Sequence, residues 1–228
     1  MEVLIVTKKQ NKVDEKNNIK RPNIFYLIIK RFFDIIIALI GLVFTIPVYI
    51  IIRLCYCFTG DFSCIIYSHN RVGKNGKLFK LYKFRSMVKD ADKKLEEILK
   101  NDKDLAKEWK ENHKLDNDPR ITKIGKIIRK LSLDECPQFL NLLKGDMSLI
   151  GPRPLVPGEL DEHGGNHEIY ESVKPGITGW WAVNGRSCID YKQRLELEYY
   201  YVEHCSLWLD IKIIFKTFCA LISRNGAK

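Results

Sequence analysis

Two adjacent carboxylates, Asp134 and Glu135, are the residues of this chain whose types and setting best suit catalysis. They lie in the segment 132–135, SLDE, between a basic segment that includes Arg129 and a Gly- and Pro-rich segment that includes Arg153. A carboxylate that is held ionised can attack a phosphorus atom or bind a metal ion. Arginine binds phosphate in a bidentate manner. The pattern therefore indicates phosphate chemistry.

The same segment also has a purely structural interpretation. Serine at the N-cap and glutamate three residues later form a capping box, in which Glu135 would serve a helix instead of catalysis. A helix that begins at Ser132 contains Pro137, whose missing N–H is costly there. A helix that begins at Pro137 avoids that cost. The sequence leaves both the role of Glu135 and the helix register open.

Further cations are candidates for binding a phosphorylated ligand. Prolines on both sides of Arg153 restrict its backbone and so aim its guanidinium group. Mg²⁺ fits such a site, because it neutralises pyrophosphate and can be held by a carboxylate such as Glu135 together with water. Each of the other cations, taken singly, is better explained as a solvated surface charge than as a ligand contact. These candidates are Lys83, Arg85, Arg129 and Arg186.

Charge and size restrict the classes of function. The chain has 228 residues, enough for one good core or two small ones, and a formal net charge of +10. Such a charge implies an anionic partner: nucleic acid, an acidic lipid surface or a phosphorylated substrate. A nucleic-acid binder or a basic membrane-attached scaffold would account for the charge but not for two carboxylates among aimed arginines. We therefore predict an enzyme, with no nucleic-acid partner.

The cysteines and histidines indicate neither a disulfide framework nor a zinc site. The seven cysteines are odd in number and irregularly spaced, and no Cys-x-x-Cys motif is present, so reduced thiols in a cytosol are expected. His163 and His167 have the i,i+4 spacing of a metal-binding helix. Two glycines lie between them, which favours a loop.

An uncharged apolar segment, residues 35–52, lies between Asp34 and Arg53. A helix of this length would be about 27 Å long, barely a bilayer core. Pro47 predicts a break in it, and the hydroxyl group of Thr45 could satisfy a freed backbone group. Both flanks are basic, so the positive-inside rule favours a re-entrant hairpin over a simple span. A tilted span and a buried core helix remain alternatives.

The remaining sequence predicts an α+β fold that is rich in helices. Asn75 and Gly76 supply the turn of a short β-hairpin within residues 63–87. The apolar stretch 206–223 carries lysines on one face, which suits either an interfacial helix or an amphipathic helix packed on a soluble core. Periodicity and Gly/Pro clusters predict helices over 89–114, after 118–119 and over 139–143, and loops over 151–165 and 175–185.

Seven short motifs occur in order along the chain. They are KRFFD at 30–34, KFRSM at 83–87, DPRIT at 118–122, SLDE at 132–135, KGDMS at 144–148, GPRP at 151–154 and PGITGW at 175–180. Together they resemble the motifs of the bacterial sugar transferases, the monotopic phosphoglycosyl transferases that start the assembly of lipid-linked glycans. The resemblance runs from about residue 30 to the C-terminus, and it is specific because so many motifs occur in one order.

The resemblance implies a reaction. A UDP-sugar binds with Mg²⁺, Asp134 attacks the sugar-linked phosphate, UMP leaves, and the phosphosugar passes from the enzyme to a polyprenyl phosphate such as undecaprenyl phosphate. Glu135 would be the metal-associated partner. Arg153 would contact the nucleotide or its phosphates, with Arg129, Lys83 and Arg85 as supporting cations.

The resemblance also implies an organisation. We expect a flexible basic tail over 1–22, a re-entrant membrane helix broken at Pro47 over 23–58, and a catalytic domain over 59–228. That domain would be compact, with a short β-hairpin and interfacial amphipathic helices. It would lie on the cytosolic face of a bacterial cytoplasmic membrane, in contact with lipids. The chain looks like the minimal catalytic form, without extra N-terminal membrane helices, and a homodimer stays open.

Two positions depart from the family pattern. Ala182 replaces a common glutamine, which affects the expected choice of donor, and Ile46 replaces the serine that often precedes the helix-breaking proline. An alternative enzyme is a membrane-bound glycosyltransferase that moves the sugar alone and releases UDP. A polytopic phosphotransferase is disfavoured, because one hydrophobic segment cannot form its helix bundle. The sequence does not identify the sugar, the glycan pathway or the polyprenol length.

Overall fold

The computed structural model describes residues 22–112, 115, 117–185 and 189–223. The predicted tail, apart from Pro22, and the candidate Arg186 lie outside the described residues. Within them the fold is α+β and rich in helices, as predicted.

Contacts divide the chain into two compact units. The central unit comprises Ile35–His69 and Lys80–Lys144, and the terminal unit comprises the segment that ends at Asp34, Asn70–Phe79 and the segment that starts at Gly145. These units are groups of contacts, and the predicted domain boundaries stay a prediction.

Helix α1, Ile24–Phe58, is the long apolar helix that the sequence predicts. Its 35 residues would extend about 52 Å, which exceeds the hydrocarbon thickness of a bilayer. Among the described residues it is the one helix that is long and apolar enough to cross a membrane, and only 22% of its most apolar stretch is buried. Phe25, Val43 and Ile51 are among its exposed apolar side chains. Such a surface is consistent with membrane association.

The helical residues of α1 run through Pro47 without a gap. The Thr45 hydroxyl donates to the Gly41 carbonyl at 2.7 Å, so it bonds the preceding turn and not the Val43 carbonyl that Pro47 leaves without a donor. The re-entrant path stays a prediction.

The predicted hairpin is confirmed. Strand β1, Ile66–Val72, and strand β2, Leu78–Phe84, form a two-stranded sheet around a short 3₁₀ turn, Lys74–Gly76. Asn75 and Gly76 have φ angles of 57° and 71°. Both residue types tolerate this left-handed region, which explains why the turn could be identified locally.

The central unit continues with four helices and a turn. Helix α4 (Lys123–Lys130) begins after Thr122, whose hydroxyl oxygen accepts the Gly125 N–H at 2.8 Å, so Thr122 is the N-cap. The start signal expected at Asp118 is wrong by several residues, because the Asp118 carboxylate binds the Arg120 guanidinium group at 2.6 Å instead. The elements are α2 (Ala91–Asn101), α3 (Lys103–Asn112), α4 (Lys123–Lys130), a 3₁₀ turn (Leu133–Glu135) and α5 (Gln138–Lys144).

A buried apolar cluster holds these elements together. Helix α1 contributes Val48, Ile52 and Tyr56 to it, and the Tyr56 hydroxyl donates to the Arg85 carbonyl at 2.7 Å. Gly125 of α4 lies so close to the Ser86 carbonyl that an added Cβ would overlap it. The other buried members of the cluster are Ile65, Phe84, Ile128 and Cys136.

The terminal unit contains a second, smaller sheet. Strands β3 (Ser148–Ile150) and β4 (Gly176–Thr178) pair in parallel, with Ser148 opposite Gly176. Helices α6 (Glu159–Glu162), α7 (His167–Tyr170), α8 (Trp180–Asn184), α9 (Tyr191–His204) and α10 (Leu207–Ser223) complete the unit.

The loops predicted over 151–165 and 175–185 are therefore wrong in part, since they contain α6, β4 and α8. Gly176 permits close packing against the Gly151 backbone, a role that its local sequence does not reveal. In α10, Ile213 is fully buried while Trp208 and Phe215 are exposed, so the helix packs one face on the unit and leaves apolar side chains exposed elsewhere. Its position at a membrane interface stays a prediction.

Candidate active site

The carboxylate pair lies in the connection between α4 and α5. Ser132 adopts a left-handed conformation, with φ of 54°, and it makes no side-chain capping bond. Helix α5 begins at Gln138, directly after Pro137. The register that starts at the proline is therefore the observed one, and the capping-box interpretation of Glu135 is wrong.

Lys83 contacts both carboxylates. Its Nζ atom donates to Glu135 Oε1 at 2.9 Å and lies 3.7 Å from Asp134 Oδ2. The Asp134 side chain is 16% exposed, whereas that of Glu135 is 45% exposed. The Asp134 carboxylate is thus largely buried and the Glu135 carboxylate is largely exposed, and the Lys83 ammonium group lies close to both.

Burial raises the pKa of Asp134 above its ordinary value, and the negative charge of Glu135 raises it further. Lys83 and Arg129 oppose the rise through their positive charges. A carboxylate stripped of water is a stronger base than a solvated one, while the two cations favour its ionised form. This combination suits a nucleophile.

Arg129 and Ser86 extend the site. Arg129 Nε donates to Ser86 Oγ at 2.8 Å, which anchors the arginine at the end of β2. Ser86 belongs to the motif KFRSM, for which the sequence predicted no role of the serine. The available signal was a hydroxyl group directly after Arg85, in a motif that also contains Lys83.

Arg85 has a different partner from the one that the sequence suggested. Its Nη2 atom donates to Asp61 Oδ2 at 2.7 Å, and its guanidinium carbon lies 4.7 Å from the centre of the Tyr56 ring. Hydrogen bonds from the Ser63 N–H and from Arg85 lower the pKa of Asp61 to about 2. The charge of Arg85 is therefore neutralised locally by Asp61, a residue that no sequence motif singled out.

Arg153 lies in the terminal unit. Its N–H donates to Glu198 Oε1 at 2.9 Å, and its carbonyl accepts the Tyr170 hydroxyl at 2.9 Å. Its guanidinium carbon lies 5.9 Å from the centre of the Trp181 ring. In the part of the chain that the structure describes, this guanidinium group makes no hydrogen bond or ion pair.

The carboxylate dyad, Asp134 and Glu135, fits a Mg²⁺ ion that protein side chains hold only in part. The described residues contain no group of three or more His, Cys, Asp or Glu side chains that could form a complete protein cage for a metal. Mg²⁺ is commonly held by one or two carboxylates, by water and by substrate phosphates, and Asp134 and Glu135 offer two carboxylates. The assignment of Glu135 as a ligand stays a prediction.

Comparison with known proteins agrees with the motifs. The model of the family "Bacterial sugar transferase" matches residues 25–224. The undecaprenyl-phosphate galactose phosphotransferase of Salmonella typhimurium is 46% identical over 212 residues, covering 93% of this chain and 44% of that protein. The UDP-galactose-lipid carrier transferase of Erwinia amylovora is 44% identical over 211 residues, covering 92% and 43%.

The length of the match differs among relatives. The exopolysaccharide production protein ExoY of Sinorhizobium fredii is 40% identical over 198 residues, covering 87% of each chain. This chain therefore spans less than half the length of the first two relatives but most of ExoY.

Proposed function

Since the chain belongs to the bacterial sugar transferase family, we propose that it is a phosphoglycosyl transferase. It moves a sugar-1-phosphate from a UDP-sugar to undecaprenyl phosphate, releases UMP and thereby starts the synthesis of a bacterial polysaccharide. The names of its relatives support the acceptor and the phosphotransfer. The observation that carries the proposal is the partly buried Asp134 carboxylate beside Lys83 and Glu135.

The reaction we propose is a double displacement at one phosphorus atom. An Asp134 carboxylate oxygen attacks the sugar-linked phosphorus of the donor, the bond to the bridging oxygen breaks, and UMP leaves with that electron pair. A phosphate oxygen of undecaprenyl phosphate then attacks the same phosphorus and displaces the Asp134 carboxylate. The lipid carries away the sugar-1-phosphate, and Asp134 is regenerated as a carboxylate.

The surrounding residues supply electrostatic stabilisation. Lys83 lies within reach of both carboxylates and offsets their mutual repulsion, and Arg129 adds a second positive charge near Asp134. Glu135 is the residue we assign to hold Mg²⁺, with Asp134 beside it. A bound Mg²⁺ would neutralise charge on the donor diphosphate. Arg153 is suited to a bidentate contact with a donor phosphate.

A membrane setting fits this acceptor. The polyprenyl chain of the acceptor is confined to a bilayer, and the exposed apolar surface of α1 offers the protein an attachment to the same bilayer. We propose that the dyad works at the cytosolic face, where a UDP-sugar would be available, and that α1 is re-entrant.

The nucleotide that is released tests the reaction. We suggest incubating the full chain in lipid nanodiscs with undecaprenyl phosphate, Mg²⁺ and a panel of UDP-sugars. UDP-galactose and UDP-N-acetylgalactosamine come first, because relatives are named for these sugars. Release of UMP with formation of a lipid-linked phosphosugar supports the proposal. Release of UDP would identify a glycosyltransferase that moves the sugar alone.

A second measurement tests the covalent step. With donor but without acceptor, mass spectrometry should find the protein heavier by one phosphosugar, attached to the peptide that contains Asp134. An unmodified protein that still makes lipid product would exclude the aspartyl intermediate.

A further inference from the structure

Both backbone groups of Arg153 are held by buried side chains of the terminal unit. Glu198 of α9 is 0% exposed and accepts the Arg153 N–H at 2.9 Å. Tyr170 of α7 is also buried and donates its hydroxyl to the Arg153 carbonyl at 2.9 Å. Prolines on either side restrict the neighbouring dihedral angles. Arg153 therefore has little backbone freedom.

Glu198 holds this backbone without forming an ion pair. Its Oε2 atom is buried and makes no hydrogen bond to any described residue. Burial raises the pKa of Glu198 to about 8, although the Arg153 N–H and the positive charges of Arg194 and Arg153 oppose the rise. Near neutral pH the carboxyl group is largely uncharged, so it can accept the N–H without drawing the Arg153 guanidinium group towards itself.

Arg194, in the same unit, provides a comparison, because its guanidinium group is ion-paired. Its Nη2 atom donates to Glu159 Oε1 at 3.0 Å, and its guanidinium carbon lies 4.1 Å from the centre of the Tyr191 ring. Arg153 has no comparable acceptor among the described residues, and its guanidinium group lies over Trp181 at 5.9 Å. The donors of Arg153 thus remain available to an anionic ligand.

We propose that Glu198 is a positioning residue for Arg153, and that it holds the backbone so that the guanidinium group meets the diphosphate of the nucleotide donor. The inference rests on the proposed function, because it takes a nucleoside diphosphate as the ligand. Glu198 itself does not contact the donor. Its effect on binding passes through Arg153.

A double-mutant cycle tests this coupling, with UDP as the probe. UDP affinity is measured by calorimetry on the full chain in nanodiscs with Mg²⁺. Glu198→Leu should weaken UDP binding by about tenfold or more, because the backbone N–H of Arg153 loses its acceptor. Glu198→Gln keeps an acceptor oxygen and should stay within about threefold of wild type. In an Arg153→Ala background, Glu198→Leu should add less than about twofold.

Other variants separate positioning from a general loss of structure. Tyr199→Phe removes another hydrogen bond of the same helix, in which the Tyr199 hydroxyl accepts the Asn166 N–H. This variant should leave UDP affinity unchanged. Equal weakening by Glu198→Leu in both backgrounds would overturn the inference, as would wild-type affinity in Arg153→Ala.

If Glu198→Leu does not fold, Tyr170→Phe replaces it in the cycle, because it removes the other restraint on Arg153. It should weaken UDP binding in the wild-type background and have no further effect in Arg153→Ala. Equal effects in both backgrounds would contradict the inference. Failure of the proposed function looks different: wild type would release no UMP from any donor. An additive cycle in a protein that does release UMP overturns only the role of Glu198.

Discussion

Asp134 is held between opposing influences. Burial and Glu135 disfavour its charge, while Lys83 and Arg129 favour it. The protein therefore keeps a carboxylate in a place where folding alone would prefer a neutral group. Such a conflict between stability and charge is typical of catalytic positions.

Asp134→Asn should abolish turnover, with UMP release lower by at least about a thousandfold, because the proposed nucleophile is lost. It should leave the melting temperature at pH 7 unchanged or higher. A folded-state pKa above the unfolded value means that stability falls as pH rises through it, and asparagine removes that fall. Activity and thermal unfolding between pH 4 and 8 check both points.

Asp61→Asn is the matched control, and its expected change in melting temperature at pH 7 has the opposite sign. The pKa of Asp61 is lowered to about 2, so its contribution to stability is present above its unfolded pKa and is lost only at acidic pH. This variant should melt at a lower temperature than wild type at pH 7. Near-normal UMP release by Asp134→Asn would contradict the covalent role.

Lys83→Met should lower kcat/KM at neutral pH by about tenfold or more and move the acidic limb of the pH profile to higher pH. Loss of the ammonium group leaves Asp134 and Glu135 without the cation that both contact, so the pKa of Asp134 rises further. A pH–rate profile measures this shift. Lys80→Met, at an exposed position of the same strand, should keep the wild-type profile. An unshifted limb in Lys83→Met would exclude its electrostatic role.

The site was only partly predictable from the sequence. The residue types of Asp134, Glu135 and Lys83 made them candidates, but the contact between Lys83 and Glu135 spans 52 positions in the chain and depends on tertiary structure. Arg85 was indistinguishable from Lys83 until the structure placed it on Asp61. Glu198 carried no local signal, because its burial and its contact with Arg153 arise from packing.

At the scale of elements, close backbone contact positions the site. Helix α4 carries Arg129, and Gly125 lets that helix approach the Ser86 carbonyl. The sequence predicted α4 from its apolar periodicity but not the approach, which no spacing reveals. Likewise it missed β3 and β4, since a parallel pair of three-residue strands forms through long-range pairing. Local turn chemistry, as at Asn75, was readable.

Gly125→Ala should destabilise the protein by about 1–3 kcal/mol, because the new methyl group would overlap a backbone carbonyl that cannot move freely. UMP release should fall as well, since Ser86 and Arg129 would be displaced. Chemical denaturation in detergent measures the change. Lys126→Ala, an exposed neighbour on α4, should change stability by less than about 0.5 kcal/mol. Wild-type stability of Gly125→Ala would contradict the packing.

His167 of α7 contacts a carboxylate of α6, and the charge of its ring depends on pH. Both ring nitrogens of His167 lie within hydrogen-bond distance of carboxylates, Asp161 at 2.8 Å and Glu171 at 2.6 Å. Hydrogen bonds to Glu171 and Asp161 raise the pKa of His167. The charged ring therefore stabilises the fold below its unfolded pKa, and this contribution is lost as pH rises through the folded pKa.

His167→Gln should melt below wild type at about pH 5–6, and the difference should shrink towards about pH 9. Thermal scans across that range measure it. A difference independent of pH would mean that the ring acts by packing alone.

At the scale of the whole molecule, the proposed path of α1 in the bilayer decides on which side of the membrane its two flanks lie. We expect cysteines placed at Lys20 and Lys77, in a variant whose native cysteines are replaced, to be protected together from an impermeant reagent added outside intact cells. Basic residues on both flanks of a re-entrant helix would remain in the cytosol. Labelling of one site but not the other would show that the helix spans the membrane. Permeabilised cells, in which both sites should react, provide the control.

Helix α1 has two tasks, and they cannot be separated by truncation. It presents aromatic and aliphatic side chains on its surface, yet it also supplies three of the seven buried residues of the central cluster. Trimming it to obtain a water-soluble enzyme would empty that cluster. If α1 lies in a bilayer as proposed, extraction from lipid and loss of the native state are linked. A detergent for purification must then cover the exposed apolar surface of α1 without entering the buried cluster.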